Sequence, residues 1–346
     1  MNTRPFGLEI GAVTMKAVWL SGEKGRFSIS AIVQAPTPLK GMLSESPFDQ
    51  ETMAQSIKQM LMQGKITTPY VNIALPDSQV YTRVIEIPLL SDQELASAIY
   101  WEAEQYIPLP LGSVTLDWTV LDKPANSNEG KKMQVLLVGA PTMLLNKYQK
   151  ILALAGLTIN VVETEILSTI RPIIQGEHNP DSIVVHIGDL STSFAIIKSG
   201  GIVFSYSVAT GGVALVRSIA SDFGVSVAQA EEYKNAYGVS KHGVGEKIGK
   251  ATEPILMSII TEIKKALAFY AQKYGKDSVI QQILLSGGNA HLPGIDIFFA
   301  QNCGIETVTA NPISQLGIDS SLLPKQIIDK AADFTIAFGL GMREYE

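Results

Sequence analysis

The chain opens with short apolar segments that are separated by glycines. Residues 6–10, 13–20 and 27–33 are rich in β-branched and aromatic side chains, and Gly11 lies between the first two. Short runs of this composition between glycines are typical of strands joined by tight turns. The pattern therefore predicts a three-stranded meander.

The second half of the chain begins in the same way. Residues 182–187, 193–197 and 202–208 again predict strands, and Gly188 lies between the first two. A repeat of the same pattern is best explained by an internal duplication at about half the chain length.

The remaining segments alternate between strand and helix patterns, after a proline- and glycine-rich break at 36–47. Further predicted strands are 71–75, 80–87, 114–121, 133–139 and 279–285. Predicted helices are 49–63, 91–106, 142–155, 212–223, 227–237, 253–274, one from about 293, and 327–340. Ser91 followed by Glu94 is the capping-box signature of a helix start. Polar stretches at 123–132 and 238–250 predict loops.

Composition limits the class of protein. The 346 residues suffice for about two domains, and the charged fraction of 17% lies below the roughly 25% usual for soluble domains. No apolar run reaches the ~18 residues of a membrane span, and no export signal opens the chain. The single Cys303 cannot close an intrachain disulfide, and the net charge of −6 argues against a nucleic-acid partner. We expect a soluble cytoplasmic protein of more than one domain.

Five sites along the chain combine the residue types that contact phosphate-bearing ligands. Glycine lets backbone N–H groups approach an anion, and a nearby hydroxyl or lysine adds donors. In chain order the sites are Gly11 with Thr14 and Lys16, Gly188 with Ser191 and Thr192, Gly211 with Gly212, Glu231 with Lys234, and Gly287 with Gly288 and Asn289. Each alone also fits a structural role, as a tight turn or a solvated ion pair. Their order is what favours a ligand site.

This order resembles the actin-like ATPase superfamily, which includes the sugar kinases, Hsp70 and FtsA. Within the superfamily, the sequence is most similar to the PilM family of type IV pilus assembly. Residues 98–110, AIYWEAEQYIPLP, resemble the hallmark helix of an inserted subdomain called 1C or SHS2. Segments 71–76, 136–141 and 292–294 also match, and the resemblance covers nearly the whole chain.

The resemblance implies an α/β, actin-like ATPase (ribonuclease H-like) fold. Two duplicated core domains would surround a nucleotide cleft, with an inserted SHS2-type 1C subdomain. Core subdomain 1A would comprise 1–34, 162–180 and 325–346, and subdomain 1C would comprise 35–161. Core subdomain 2A would comprise 181–215 and 276–324, and the helical subdomain 2B would comprise 216–275.

The resemblance also implies a function. The protein would be a cytoplasmic scaffold that binds ATP or ADP with Mg²⁺ and holds the N-terminal cytoplasmic tail of a PilN-like inner-membrane protein. The tail would lie in a groove between 1C and 1A, so membrane association would be indirect. Contacts with a second copy or with other pilus components stay open, as does the choice between a pilus, a competence system and a secretion system.

Site residues follow from the same resemblance. Residues 7–16 and 185–192 would be the phosphate loops, and the glycines at 211–212 and 287–288, with Asn289, would line the cleft. Glu231 and Lys234 would contact ribose and base. Glu165, at a helix start, would be the candidate catalytic acid, although the helix dipole equally favours an acid in a first turn.

Two positions depart from the family, which usually has an aspartate in each phosphate loop to act on Mg²⁺ through water. Here the first is Glu9, still an anion and the candidate metal contact, and the second is His186, which offers a hard cation no negative charge. Asp189 projects from another point of the turn. We therefore expect weak or absent hydrolysis with nucleotide binding retained. A sugar-kinase-like phosphotransferase and an FtsA-like cell-division filament protein are the alternatives.

Overall fold

The strands of the chain assemble into three sheets in the part that the structure describes. The structure is a computed structural model that describes residues 4–124, 132–174, 179–239, 244–275 and 278–345. Its strands are β1 (Phe6–Ile10), β2 (Thr14–Glu23), β3 (Arg26–Pro36), β4 (Tyr70–Leu75), β5 (Tyr81–Ile87), β6 (Val114–Asp122), β7 (Met133–Pro141), β8 (Thr158–Thr164), β9 (Ser182–Ile187), β10 (Thr192–Lys198), β11 (Gly201–Val208), β12 (Gln282–Ser286) and β13 (Glu306–Thr309).

Helices connect and cover these sheets. They are α1 (Pro47–Gln63), α2 (Asp92–Tyr106), α3 (Thr142–Leu154), α4 (Glu165–Ile173), α5 (Gly212–Phe223), α6 (Val227–Tyr237), α7 (Val244–Tyr274), α8 (Ile295–Cys303), α9 (Pro312–Gln315), α10 (Lys325–Asp329) and α11 (Thr335–Met342). The Ser91 hydroxyl caps α2 and the Glu94 side chain returns the bond, so the predicted capping box is confirmed. Among the described helices, none is long and apolar enough to pass through a bilayer.

The two large sheets repeat one topology. The first core sheet has the order β3-β2-β1-β4-β8, and the second has the order β11-β10-β9-β12-β13. In each, an antiparallel meander is extended by parallel strands: β1 pairs antiparallel with β2 and parallel with β4, and β9 pairs antiparallel with β10 and parallel with β12. The predicted duplication is therefore visible in the fold.

Burial on both faces of the central strands accounts for the low charged fraction. Every residue of β1 and of β9 is buried. Helices α1 and α3 contribute Ile57 and Tyr148 to the core of the first sheet, and α7 contributes Ile259 and Ile263 to the core of the second. Strands that are covered on both faces have nearly continuous apolar sequences, as in parallel α/β sheets.

The third sheet is small and interrupts the first core sheet in sequence, between β4 and β8. It has the order β5-β7-β6, and α2 packs Leu95, Ile99 and Ala103 into its core. The predicted insert, 35–161, is wider than this sheet, because β4 and most of β8 fall within that range and form hydrogen bonds in the first core sheet. Hydrogen bonding between distant strands decides such a boundary, and the local pattern carries no sign of it.

Two helix boundaries also differ from the prediction. Helix α7 begins at Val244, so residues 244–250 are helical, and Pro254 lies inside it because burial of Ile248, Ala251 and Leu256 holds both sides of the proline. The predicted helix 327–340 is broken into α10, a 3-10 turn at Ala331–Phe334, and α11. Parts of each predicted subdomain lie outside the described residues: 1–3, 175–178 and 346 of 1A, 125–131 of 1C, 240–243 of 2B and 276–277 of 2A. Both predicted polar loops include one of these segments, 125–131 and 240–243.

Candidate functional site

Two glycine turns of the same construction face each other across one cavity. The N–H of Gly11 donates to the carbonyl of Thr14 over 3.1 Å, and the N–H of Gly188 donates to the carbonyl of Ser191 over 3.0 Å. Both turns line a cavity of about 110 Å³ between the two core sheets. The sequence predicted both turns, and the fold brings them together.

The first turn carries a buried ion pair. Glu9 and Lys16 are direct neighbours across β1 and β2, and Lys16 Nζ lies 2.8 Å from Glu9 Oε1. Burial raises the pKa of Glu9, and Lys16 offsets only part of this. Burial alone would lower the pKa of Lys16, but the Glu9 carboxylate raises it, so the lysine stays charged. Among the described residues, Glu9 Oε2 is buried without a hydrogen-bond partner.

The second turn has no charge at the matching position. His186 is the direct neighbour of Ser193 across β9 and β10, and its Nδ1 lies 3.4 Å from Ser286 Oγ. Burial, helped by the nearby Lys16 cation, lowers the pKa of His186 to about 3. The imidazole is therefore neutral at neutral pH. Asp189 also lines the cavity and lies three residues beyond His186.

The helical side of the second turn is tied down by Asn289. Its Nδ2 donates to the Gly188 carbonyl over 3.0 Å, and its Oδ1 accepts from Lys234 Nζ over 3.0 Å. Lys234 is buried and also lies 2.9 Å from Glu231, whose side chain is half-exposed. The N–H of Gly212 donates to the Gly188 carbonyl over 2.9 Å, and a Cβ on Gly212 would meet the Asn289 amide. Asn289 links Lys234, Glu231 and Gly212 into one connected group behind the turn, and none of these four residues lines the cavity.

The remaining predicted residues also divide into those that line the cavity and those that bond within the protein. Gly288 lines the cavity, whereas Gly287 has a φ of +88° that favours glycine and donates its N–H to the Ala332 carbonyl. Gly211 lies so close to the Gly188 carbonyl that a Cβ there would be 2.5 Å from it. The Thr192 hydroxyl donates to the Thr210 carbonyl over 2.8 Å, so it bonds within the protein.

Glu165 begins α4 and lines the cavity beside the first turn. Burial, and then the carboxylates of Asp77 and Glu9, raise the pKa of Glu165 to about 8. The N–H of Asp77 donates to Glu165 Oε2 over 3.4 Å. The sequence did not single out Asp77 or Asp333, which also lies at the cavity. Asp77 follows Pro76 at the end of β4, a signal that was available, but Asp333 fell inside a predicted helix.

The residues present fit Mg²⁺ only through water. No group of three His, Cys, Asp or Glu side chains among the described residues converges to hold a metal ion directly. Mg²⁺ usually keeps several waters and takes one or two carboxylates plus phosphate oxygens. The unpartnered Glu9 Oε2 is suited to accept from such a water.

A separate groove of about 270 Å³ lies between the small sheet and the first core sheet. Strands β6 and β8, each at the edge of its sheet, form its two sides. Its lining is mainly aliphatic, with Leu136, Val138 and Val162 among it, and Asp117, Glu163 and Arg343 add charge. An edge strand presents free backbone donors and acceptors, which an extended peptide can use.

Both the sequence and the fold of this chain are similar to those of known proteins. The sequence model of the family described as type IV pilus assembly protein PilM matches residues 7–345. The fold is similar to a structure of a PilM-PilN type IV pilus biogenesis complex, with a TM-score of 0.85 and 27% identity over 100% of both chains.

More distant relatives share the architecture. The cell division protein FtsA of Streptococcus pneumoniae is 24% identical over 353 residues, which cover 90% of this chain and 76% of that protein. MreB5 of Spiroplasma citri bound to AMPPNP has a TM-score of 0.53 at 15% identity, over 100% of this chain and 97% of that chain, which supports the fold alone. The chain therefore belongs to the PilM family of type IV pilus assembly proteins and has the actin-like ATPase fold.

Proposed function

We propose that this protein is a nucleotide-binding scaffold of type IV pilus assembly, or of a related competence or secretion system. Its partner would be the cytoplasmic N-terminal tail of a PilN-like inner-membrane protein, which would hold it at the membrane surface. The observation that carries the nucleotide half of this proposal is the pair of glycine turns facing each other over the buried Lys16.

Binding would use the parts of the site as follows. Backbone donors of the two turns and Lys16 would contact the phosphates of ATP or ADP, because N–H groups and a cation suit a polyanion. Glu9 would hold Mg²⁺ through water. The hydroxyls of Thr14 and Ser191 would donate to the phosphates, and the glycines would let the phosphates approach closely. Lys234 is already committed to Asn289, so we expect the half-exposed Glu231 to make the direct contact with ribose or base.

Hydrolysis would be slow or absent for two reasons. The neutral His186 supplies no anion at the place where a second carboxylate would act on the metal shell. Glu165 has a pKa raised to about 8, so at neutral pH it holds a proton and is a poor base for an attacking water.

Titration calorimetry with ATP, ADP and a non-hydrolysable ATP analogue in MgCl₂ tests the nucleotide site. We expect Lys16→Met to weaken binding at least tenfold, and Lys24→Met, at an exposed turn, to leave it unchanged. We also expect His186→Asp to raise the ATPase rate above that of the wild type. Absence of binding by the wild type at millimolar nucleotide would overturn the proposal.

The groove between β6 and β8 is our proposed site for the tail. An extended peptide would pair with an edge strand and place alternate apolar side chains against the aliphatic lining. Thr119 is exposed and lines the groove, so Thr119→Trp should fill it without disturbing the core.

Fluorescence anisotropy of a labelled synthetic tail, taken from a PilN-like protein of the same organism, measures the affinity of the tail for the protein. We expect Thr119→Trp to weaken tail binding at least tenfold, whereas Thr261→Trp, on the exposed face of α7, should not. Equal binding by both variants would place the tail elsewhere.

The alternative function, a sugar-kinase-like phosphotransferase, would be favoured by ATP turnover that a sugar stimulates.

A further inference from the structure

Asp333 brings a further carboxylate to the cavity between the two glycine turns. It lies in the 3-10 turn Ala331–Phe334, which connects α10 and α11. The other three residues of this turn are buried, with exposures of 2% or less. The Asp333 side chain keeps 14% of its surface exposed and lines the cavity. The turn therefore presents one charged side chain to a ligand in the cavity.

Contacts with both halves of the molecule fix the position of this turn. Two of its buried side chains pack in the core beside β2, and the third, Ala332, packs in the core of the second sheet. The Ala332 carbonyl also accepts the Gly287 N–H over 3.1 Å. His291 faces the carboxylate, with its Nε2 3.2 Å from Asp333 Oδ1. The fold thus sets where the Asp333 carboxylate lies.

The same contacts bring Asp333 to the His186 side of the cavity, where the second turn lacks a carboxylate. Ser286 Oγ lies 3.4 Å from His186 Nδ1, and the next residue, Gly287, bonds to the turn that carries Asp333. The electrostatics agree with this placement. Burial and the Lys16 cation lower the pKa of His186, and the Asp333 carboxylate opposes them.

Asp189 is the alternative acid, because it lies on the second turn and also lines the cavity. The pKa of His186 responds to the charge of Asp333 and not to that of Asp189. Burial lowers the pKa of Lys16, and of these two acids Asp333 offsets more of that effect. Only on Glu9 is the effect of Asp189 the larger. Asp333 is therefore the stronger candidate, and Asp189 is the competitor that a test has to include.

We propose that Asp333 is a second carboxylate that acts, through water, on Mg²⁺ bound together with a nucleotide. This inference rests on the nucleotide-binding function proposed above and gives Glu9 a partner from the segment before α11. Mg²⁺ usually keeps several waters and is held by one or two carboxylates with phosphate oxygens. Among the described residues no three ligating side chains converge, so contact through water fits better than direct coordination.

A carboxylate in this position affects nucleotide binding in opposite directions with and without the metal. It attracts the cation of a Mg²⁺–nucleotide complex, whereas it repels the phosphates of a metal-free nucleotide. Asp333 therefore makes nucleotide binding depend on Mg²⁺. The second turn itself still lacks an anion, and Glu165 holds a proton at neutral pH, so slow hydrolysis is still expected.

Titration calorimetry of the full chain with ADP, in MgCl₂ and separately in EDTA, tests this role. The quantity compared is the ratio of the affinity in MgCl₂ to the affinity in EDTA. We expect Asp333→Asn to lower this ratio at least tenfold, with weaker binding in MgCl₂ and no loss in EDTA. Asp329→Asn, at an exposed acid on α10, should leave the ratio unchanged, and Asp333→Glu should retain most of it.

The two buffers separate a charge effect from a structural one. If Asp333 only supported the packing of its turn, Asp333→Asn would lose affinity equally in MgCl₂ and in EDTA. The Tm of each variant without nucleotide reports on folding. Asp333→Ser is a second neutral variant and should show the same lower ratio, which keeps the test decisive if Asp333→Asn does not fold.

An unchanged ratio in the neutral variants of Asp333, or an equal loss of affinity in both buffers, overturns the inference. So does a ratio that falls with Asp189→Asn instead. In these cases the wild type still binds ADP, so the proposed nucleotide-binding function stands. Absence of ADP binding by the wild type in both buffers overturns the inference and the proposed function together.

Discussion

Removing one charge of the buried Glu9–Lys16 pair should destabilise the protein more than removing both. The two groups are 6% and 7% exposed and 2.8 Å apart at the start of the first core sheet. Glu9→Gln leaves the lysine cation buried with an amide in place of its counter-ion. The double variant Glu9→Gln with Lys16→Met buries no charge at this position.

The magnitudes follow from the burial. Breaking a buried pair by removing one partner costs about 3–5 kcal/mol, and replacing both partners by apolar or neutral groups of similar size is often close to neutral. We expect Glu9→Gln at the upper end, because Asp333 and Asp189 raise the pKa of Lys16 less than Glu9 does. Lys16→Met should cost less as the pH falls, because burial already raises the pKa of Glu9 and the carboxyl can take a proton.

Urea unfolding without nucleotide measures the four proteins of this double-mutant cycle. Trp19, on β2 of the same sheet and 8% exposed, reports on the first half through its fluorescence. The coupling should be about 2–4 kcal/mol, since the double variant recovers most of the loss. The exposed pair Lys250 and Glu246 on α7 serves as the control cycle and should show no measurable coupling.

Two results would refute the reasoning. If the double variant is as unstable as Glu9→Gln, the side chains matter through their packing and not through their charges. If all variants match the wild type, water reaches the pair and the burial assigned to it is wrong.

Three further predictions concern the pH dependence and two positions in the scaffold. Because the pKa of Glu165 is raised from 4.5 to about 8 in the fold, its contribution to stability is complete below pH 4.5 and is lost as the pH rises to about 8. Across that window the free energy of unfolding of Glu165→Gln should rise above that of the wild type by a few kcal/mol, since each pKa unit corresponds to about 1.4 kcal/mol. A difference between the two proteins that stays constant with pH in urea unfolding would contradict this. Gly339→Ala places a Cβ onto the Ser168 carbonyl between α11 and α4 and should lower Tm sharply, whereas Gly112→Ala, with open space around it, should not; equal Tm values would disprove the close approach. Ser91→Ala removes the cap of α2 and should cost about 1 kcal/mol, while an unchanged urea midpoint would show that the cap is dispensable.

Local signals were sufficient for the two meanders and for most helices. The glycine after β1 and the glycine after β9 predicted the turns, and the Ser91 and Glu94 pair predicted the start of α2. These features depend on neighbours in sequence, so the pattern contains them. The two glycine turns of the candidate site were found for the same reason.

Non-local contacts account for what the sequence did not predict. The sequence pattern does not predict strand β8, because pairing with the distant strand β4 stabilises it. The paired residues Tyr70 and Thr158 are 88 positions apart in the chain. The helix predicted at 327–340 breaks where the Ala332 carbonyl accepts the Gly287 N–H, a contact between distant segments. Asp77 becomes unusual only in the fold, where burial raises the pKa of its carboxyl to about 6.

The duplication keeps the backbone of the site and changes its charge. In the first half Glu9 is paired with Lys16, and in the second half the equivalent neighbours are His186 and Ser193. Binding phosphate requires N–H donors from both turns and one cation, and both requirements survive this change. Acting on a metal shell from both sides requires two anions, and the second half has replaced one of them by a neutral imidazole. In the proposed function, nucleotide binding therefore does not depend on hydrolysis, and we expect bound nucleotide to hold the two halves together without being turned over.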